Sequence, residues 1–140
     1  MVEIKSYKRI SLYVLVIFII LVLISVFFSL PPYKYLGNGY VYHSEYYYIT
    51  GNTKEEHIPP NVIKYKNSSQ YVTAMQVPLR NIYQLHLPDE FDSLTYVLDM
   101  DTTYYWIIEK QKHIVYGPLL WEEYVSKCDD LSIKLSQRVK

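Results

Sequence analysis

The chain has 140 residues, and its 14 basic and 14 acidic side chains cancel. That length supports one small domain rather than two independent cores. Zero net charge removes any bulk electrostatic case for binding DNA, RNA or another polyanion.

In chain order, the first feature is a stretch from Ile10 to Leu30 that holds no charge, no Gly and no Pro. As a helix it would be about 31 Å long, which matches the roughly 30 Å hydrocarbon layer of a bilayer. No polar face recurs with the 3.6-residue period of a soluble core helix. A single transmembrane helix over 10–30 is therefore expected. Lys5, Lys8 and Arg9 precede it, so the positive-inside bias puts residues 1–9 in the cytoplasm and 31–140 outside, as an extracytoplasmic domain of a cell membrane or envelope. A secretory signal peptide has the same plan. This apolar run is longer than such peptides use, and Phe27, Phe28 and Leu30 crowd Ser29, so an uncleaved signal anchor is expected. Pro31 and Pro32 stop the helix, and Tyr33 and Tyr35 are placed to sit at the headgroup level.

Beyond the anchor, Tyr, Val, Ile and Thr recur in short runs bounded by Gly, Asn, Ser or Pro, the pattern of strands. Strands are predicted at Tyr33–Leu36, Tyr40–His43 and Tyr46–Thr50, with turns at Gly37-Asn38-Gly39 and Gly51-Asn52-Thr53-Lys54. A charged linker at Glu55 and Glu56 leads through the extended Ile58-Pro59-Pro60 to strands at Val62–Lys66 and Tyr71–Val77. Alternation at Tyr83, Leu85 and Leu87 suggests a further short strand, followed by an acidic loop around Asp89, Glu90 and Asp92 and an apolar patch at Tyr96–Leu98. The continuous apolar run within Thr103–Glu109 suits a central strand covered on both faces. Lys110-Gln111-Lys112-His113 turns into a strand at Ile114–Tyr116.

After Gly117-Pro118 the pattern becomes helical. Pro118 suits a first turn, Glu122 and Glu123 suit the positive helix end, and Leu120, Tyr124, Cys128 and Leu131 fall on one stripe. Leu131–Leu135 then alternates like a terminal strand. The predicted fold class is α+β: an antiparallel sheet of about five to seven strands with one C-terminal amphipathic helix.

Candidate chemistry is sparse. His43, His57, His86 and His113 fall at unrelated spacings, with no His-x-x-x-His or His-Glu-x-x-His to hold a metal. Asp99 and Asp101, with the acidic loop, lack the order of a calcium-binding loop. Cys128, the single cysteine, gives no internal disulfide and lies toward a helix C-terminus beside Asp129 and Asp130, where a thiolate is disfavoured. It reads as a core residue. No nucleophile elbow or phosphate-cradling glycine loop is present, so no catalytic residue, cofactor or metal is assigned. Asn67-Ser68-Ser69 forms a glycosylation sequon that matters only in a eukaryotic host. The outlier is Tyr, with 17 residues. Most suit half-buried strand positions, while Tyr46, Tyr47 and Tyr48 form the candidate partner-binding face.

Leu36-Gly37-Asn38-Gly39-Tyr40, Ile58-Pro59-Pro60-Asn61-Val62, Tyr104-Tyr105-Trp106-Ile107-Ile108 and Tyr116-Gly117-Pro118-Leu119, followed by Glu122-Glu123-Tyr124, resemble a family of small uncharacterised bacterial cell-envelope proteins, usually lipid-anchored. The resemblance covers about 33–135 and implies location and fold, since that family has no established activity. This chain departs from it by lacking a lipid-bearing cysteine and by a longer stretch between Val77 and Thr103. The expectation is a non-enzymatic, membrane-anchored module that binds a protein partner or another envelope component, not nucleic acid. Two alternatives stand beside it: a small envelope hydrolase or metal-dependent enzyme using the acidic loop with His86 or His113, and an immunity-type protein that neutralises a toxin.

Overall fold

The computed structural model describes residues 3–28, 32–80, 91 and 98–140. The chain forms two compact units, Met1–Pro31 and Pro32–Lys140.

The described residues of the first unit form one helix, α1 (Glu3–Phe28). Its described side chains run from Leu12 to Ser25 and are all exposed. An α-helix pairs its backbone N–H and C=O groups within the segment itself, which leaves the apolar side chains to face outward. Among the described residues no helix is long and apolar enough to cross a membrane.

Among the described residues, the second unit contains seven strands and a C-terminal helix: β1 (Tyr33–Gly37), β2 (Tyr40–His43), β3 (Tyr48–Thr50), β4 (Val62–Asn67), β5 (Tyr71–Gln76), β6 (Tyr104–Glu109), β7 (Ile114–Leu119) and α2 (Trp121–Asp130). The strands form two antiparallel sheets rather than the one expected, β1-β2-β3 and β4-β5-β6-β7. The break falls at the extended Ile58-Pro59-Pro60 segment, which leaves the first sheet after a single bridge from Ile49 to Ile58. A chain that has turned out of its sheet in this way starts a second layer.

Period-two alternation divides the four-stranded sheet into two faces. Val72, Ala74, Trp106 and Ile108 pack with Leu36, Tyr40 and Ile49 of the three-stranded sheet and with Ile58, bridged to its edge. Ile107 points the other way, with Tyr105, Met75 and Tyr71, toward Tyr124, Cys128, Ile133 and Val139 of α2 and the C-terminal segment. The continuous apolar run of β6 is thus covered on both faces, as its sequence predicts. Gln76 joins strands to loop inside the first core: its Nε2 donates to Pro59 O at 2.9 Å and Pro60 O at 2.7 Å, and its Oε1 accepts from Trp106 Nε1 at 2.7 Å.

Three boundaries differ from expectation. Tyr46 and Tyr47 lie in the turn before β3, which starts at Tyr48. Pro118 lies in β7 and not in a helical first turn. β7 is the sheet's edge, where a missing N–H costs no ladder bond, and Gly117-Pro118 forms the irregularity opposite Trp106, between the pairs Ile107↔Tyr116 and Tyr105↔Leu119. A Cβ on Gly117 would sit 2.4 Å from the Trp106 ring. Leu131–Leu135 is not a strand: Ile133 N–H closes back on Cys128 O at 2.8 Å, Ser132 takes a left-handed φ of 54°, and a short 3-10 turn follows at Leu135–Gln137. That is a helix C-terminus with its apolar contact folded underneath. The predicted strand at Tyr83–Leu87, His86 and the loop residues Asp89, Glu90 and Asp92 lie outside the described residues.

Candidate functional site

A cluster of interacting polar side chains lies where β1 turns into β2. Gly37, Asn38 and Gly39 all have positive φ, at 96°, 53° and 85°, so the turn is built by residues that tolerate the left-handed region. Tyr40 follows, wholly buried. The Gly51–Thr53 loop and a 3-10 turn, Lys54–Glu56, bring a carboxylate beside it. From the β6–β7 turn, His113 lies over Tyr40 with ring centres 5.9 Å apart and planes 21° from parallel.

Glu56 is the centre of this cluster, its side chain only 9% exposed against 40% for His113. A carboxylate can only accept, so the 3.1 Å contact places a proton on His113 Nδ1, donated to Glu56 Oε2. Thr53 Oγ1 donates to Glu56 Oε1 at 3.4 Å, and the Asn52 N–H reaches Oε2 at 3.5 Å. The Asn52 side-chain nitrogen lies 3.3 Å from the same His113 Nδ1. Burial by itself would raise the Glu56 pKa; the Tyr40 hydroxyl, His113 and the Asn52 N–H outweigh it and hold the carboxyl below the ordinary glutamate value. The Tyr40 hydroxyl is buried without a well-formed hydrogen bond. Burial, then the Glu56 carboxylate, keep it well above the usual tyrosine range.

Next to this group is a buried amine. Lys110 donates from Nζ to Leu36 O and Ser68 O, and its own carbonyl accepts from Asn38 Nδ2 at 3.4 Å. Burial lowers its pKa from the usual lysine value. The amine thus ties the β1–β2 turn to the β4–β5 turn across the end of β6.

The arrangement is closely packed. A Cβ at Gly51 would lie 2.5 Å from Glu56 Cβ and 2.8 Å from Tyr40 Cε1, and one at Gly39 would lie 2.2 Å from Asn52 Oδ1. A buried carboxylate paired with an exposed histidine has the chemistry to move a proton. Among the described residues no group of three or more His, Cys, Asp or Glu is arranged to hold a metal ion.

The structure scatters the other candidates. His43 stacks on Tyr48 at 4.4 Å and bonds Thr50 Oγ1 at 2.9 Å. His57 packs edge-on to Phe91 at 5.7 Å. Cys128 is fully buried under Tyr124, and burial raises its thiol. Asp99 and Asp101 are exposed. Of the candidate partner face, Tyr46 and Tyr47 are exposed and Tyr48 is buried. Tyr33 and Tyr35 are exposed, their rings meeting edge to face at 5.5 Å. Lys5, Lys8 and Arg9 fall within α1.

Sequence reasoning missed Glu56 and Lys110, reading both as solvated charges. For Glu56 a signal was present: Thr53-x-x-Glu56 has the spacing of a capping box, which folds the acid back toward the threonine. Lys110 carries no comparable signal, because its partners are backbone carbonyls.

With the fold and the cluster described, the chain can be placed. Residues 37–139 match the family described as "Protein of unknown function (DUF3997)", and the chain belongs to that family. No curated protein and no solved structure matches it.

Proposed function

We propose that this member of a family of unknown function is a non-enzymatic, extracytoplasmic binding module, held to a membrane by α1 and engaging another envelope component through exposed tyrosines. The observation that carries the reading is the helix surface. Every large side chain from Leu12 to Ile24 is exposed. At roughly 1.5–3 kcal/mol for each buried Leu, Ile, Val or Phe, leaving that surface in water forfeits tens of kcal/mol, more than a small domain's whole stability. The charge-free sequence continues on both sides, from Ile10 to Leu30, which supplies the ~20 residues a bilayer crossing needs. Lys5, Lys8 and Arg9 support a cytoplasmic N-terminus.

The Glu56–His113 cluster supports the non-enzymatic half of the reading. Its carboxylate is already engaged by His113, Thr53 and Asn52 and packed by Gly51, which is how a structural buried charge is satisfied. Tyr46 and Tyr47 offer contact area with hydroxyl tips.

The test is carbonate extraction of membranes, with protease added to intact and to opened cells. The wild-type chain is expected to stay in the membrane pellet and to lose its second unit to external protease. Val22→Arg, at about 2.5–3.5 kcal/mol for a central arginine, is expected to shift a substantial share to the extract. A wild-type chain that washes off, or a second unit protected in intact cells, refutes the reading.

A further inference from the structure

We infer that the component engaged is the lipid surface: the end of the second unit where the chain enters at Pro32 is a bilayer-contact face. This rests on the anchored reading above and goes further, because it assigns the exposed tyrosines to lipid headgroups.

The argument starts from strand register. Pro32 O accepts from both the backbone N–H and the hydroxyl of Ser44 at 2.8 Å, so the β2–β3 turn, Ser44–Tyr47, lies beside the point of entry. The Val62 N–H donates to Tyr47 O at 2.6 Å, which puts the start of β4 at the same end. Val62 pairs with Gln76, Gln76 with Tyr104, and Tyr105 with Leu119, so the end of β5, the start of β6 and the end of β7 follow. α2 begins two residues after Leu119, at Trp121. Six separate stretches of sequence therefore converge on one end.

Exposed large hydrophobic side chains recur among them. Tyr33, Tyr46, Tyr47, Ile63, Leu120 and Trp121 are all among the exposed large hydrophobics. Ile63 is there because the β4–β5 register slips between Val62 and Lys64, leaving it as the extra residue of a bulge. The opposite end of the same sheets reads differently. Gly37 and Asn38 meet Lys110 there, and the exposed residues are Asn38, Asn52, Ser69, Gln70, Gln111, Lys112 and His113, with Ile114 beside them. Exposed large hydrophobics gathered at one end of a small unit mark an interaction site. Tyr and Trp, with an apolar body and a polar tip, are the side chains that settle at a membrane–water boundary.

Two further observations favour lipid. The chain enters this end directly after the charge-free run Ile10–Leu30, and charges of both signs, Lys34 with Glu45, Asp99, Asp101, Glu122 and Glu123, stand exposed beside the aromatic side chains, as a headgroup layer accommodates. Tyr47 is held at φ 55° and is exposed. A left-handed bulky residue is disfavoured where Gly or Asn would serve, and strain of that kind persists where the side chain is used.

The experiment uses the full chain in phosphatidylcholine vesicles carrying a nitroxide on the headgroup. Single cysteines at Tyr46→Cys, Leu120→Cys and Gln111→Cys are labelled with an environment-sensitive fluorophore; the native Cys128 is buried, and the unsubstituted chain is the labelling control. Labels at 46 and 120 are expected to be quenched several-fold more than the label at 111. Brominated phosphatidylcholine gives a second readout on the unsubstituted chain: part of its tryptophan emission is expected to be quenched, and that part lost in Trp121→Phe. Equal quenching at all three positions, or none at any, overturns the inference while a chain that floats with the vesicles leaves the anchor standing. Labels in water in pure lipid but shielded in native membranes overturn it in favour of a protein cover. A chain that does not float overturns both.

Discussion

Glu56→Gln isolates the buried carboxylate with the smallest change of shape. In the native chain Glu56 accepts from His113 Nδ1 at 3.1 Å, from Thr53 Oγ1 at 3.4 Å and from the Asn52 N–H at 3.5 Å. Only the first is well inside hydrogen-bond range, so the substitution trades one good charge-assisted bond for a neutral one and turns an amide donor toward other donors. Bonds to charged groups contribute about 1.5–3 kcal/mol, and a loss of about 2 kcal/mol at neutral pH is expected. The pH dependence is the sharper test. The folded-state pKa of Glu56 lies below its unfolded value, so between the two the unfolded chain binds more protons and stability rises with pH. The contribution is complete above the ordinary glutamate pKa of about 4.3 and is lost as pH falls through the folded value. Urea unfolding of the full chain in detergent micelles, followed by tryptophan fluorescence from pH 7.5 down to 3, measures both proteins under the same conditions. Subtracting the variant cancels every other carboxylate. The difference should be flat near neutrality and shrink below about pH 4.5; a difference that stays constant to pH 3, or that is absent at pH 7, refutes the assignment.

Three more outcomes follow from the same packing. Gly117→Ala places a methyl 2.4 Å from the Trp106 ring at a φ of 147°, and a loss of about 1–3 kcal/mol with a changed tryptophan emission spectrum is expected from overpacking. Burial lowers the folded pKa of Lys110, so the unfolded chain holds its proton to higher pH and stability from this group grows as pH rises toward the usual lysine range; alkaline unfolding curves should therefore separate in favour of wild type over Lys110→Met. Cys128, buried and with a raised pKa, should react with a maleimide only at the rate of unfolding, and rapid labelling of the folded chain would contradict its place under Tyr124.

Local pattern was enough for most strands, because half-buried positions write themselves as alternation. Tyr40–His43 and the core of Tyr104–Glu109 fall where the residues place them, and the apolar run of β6 correctly implies cover on both faces. Pattern alone could not tell that β3 and β4 belong to different sheets. Successive strands usually pair, and only the departure of Ile58-Pro59-Pro60 from the first sheet separates them. Leu131–Leu135 misled for a different reason. Its alternation comes from a helix end, where Ile133 folds under α2 while Leu135 stays exposed, so two apolar residues at spacing two serve one cap and no ladder.

The two ends of the second unit show why function was harder to read than fold. Glu56 and His113 are 57 residues apart and Lys110 and Leu36 are 74 apart, so each pair exists only after both sheets have formed, and each member looks like an ordinary surface charge beforehand. The apolar end has the same origin. Tyr33, Tyr46, Ile63 and Leu120 come from separate stretches, and each alone is the single exposed hydrophobic that any surface tolerates. Antiparallel register brings the strand ends that carry them to one end of the unit, since in such a sheet the start of one strand lies beside the end of the next. The chain enters at that end through Pro32, directly after the charge-free segment. An apolar rim is costly on a free domain, where it invites aggregation; the proposed tether at Pro32 would put a lipid surface against that rim and remove the cost, so the quenching experiment that tests the rim also tests why it is tolerated.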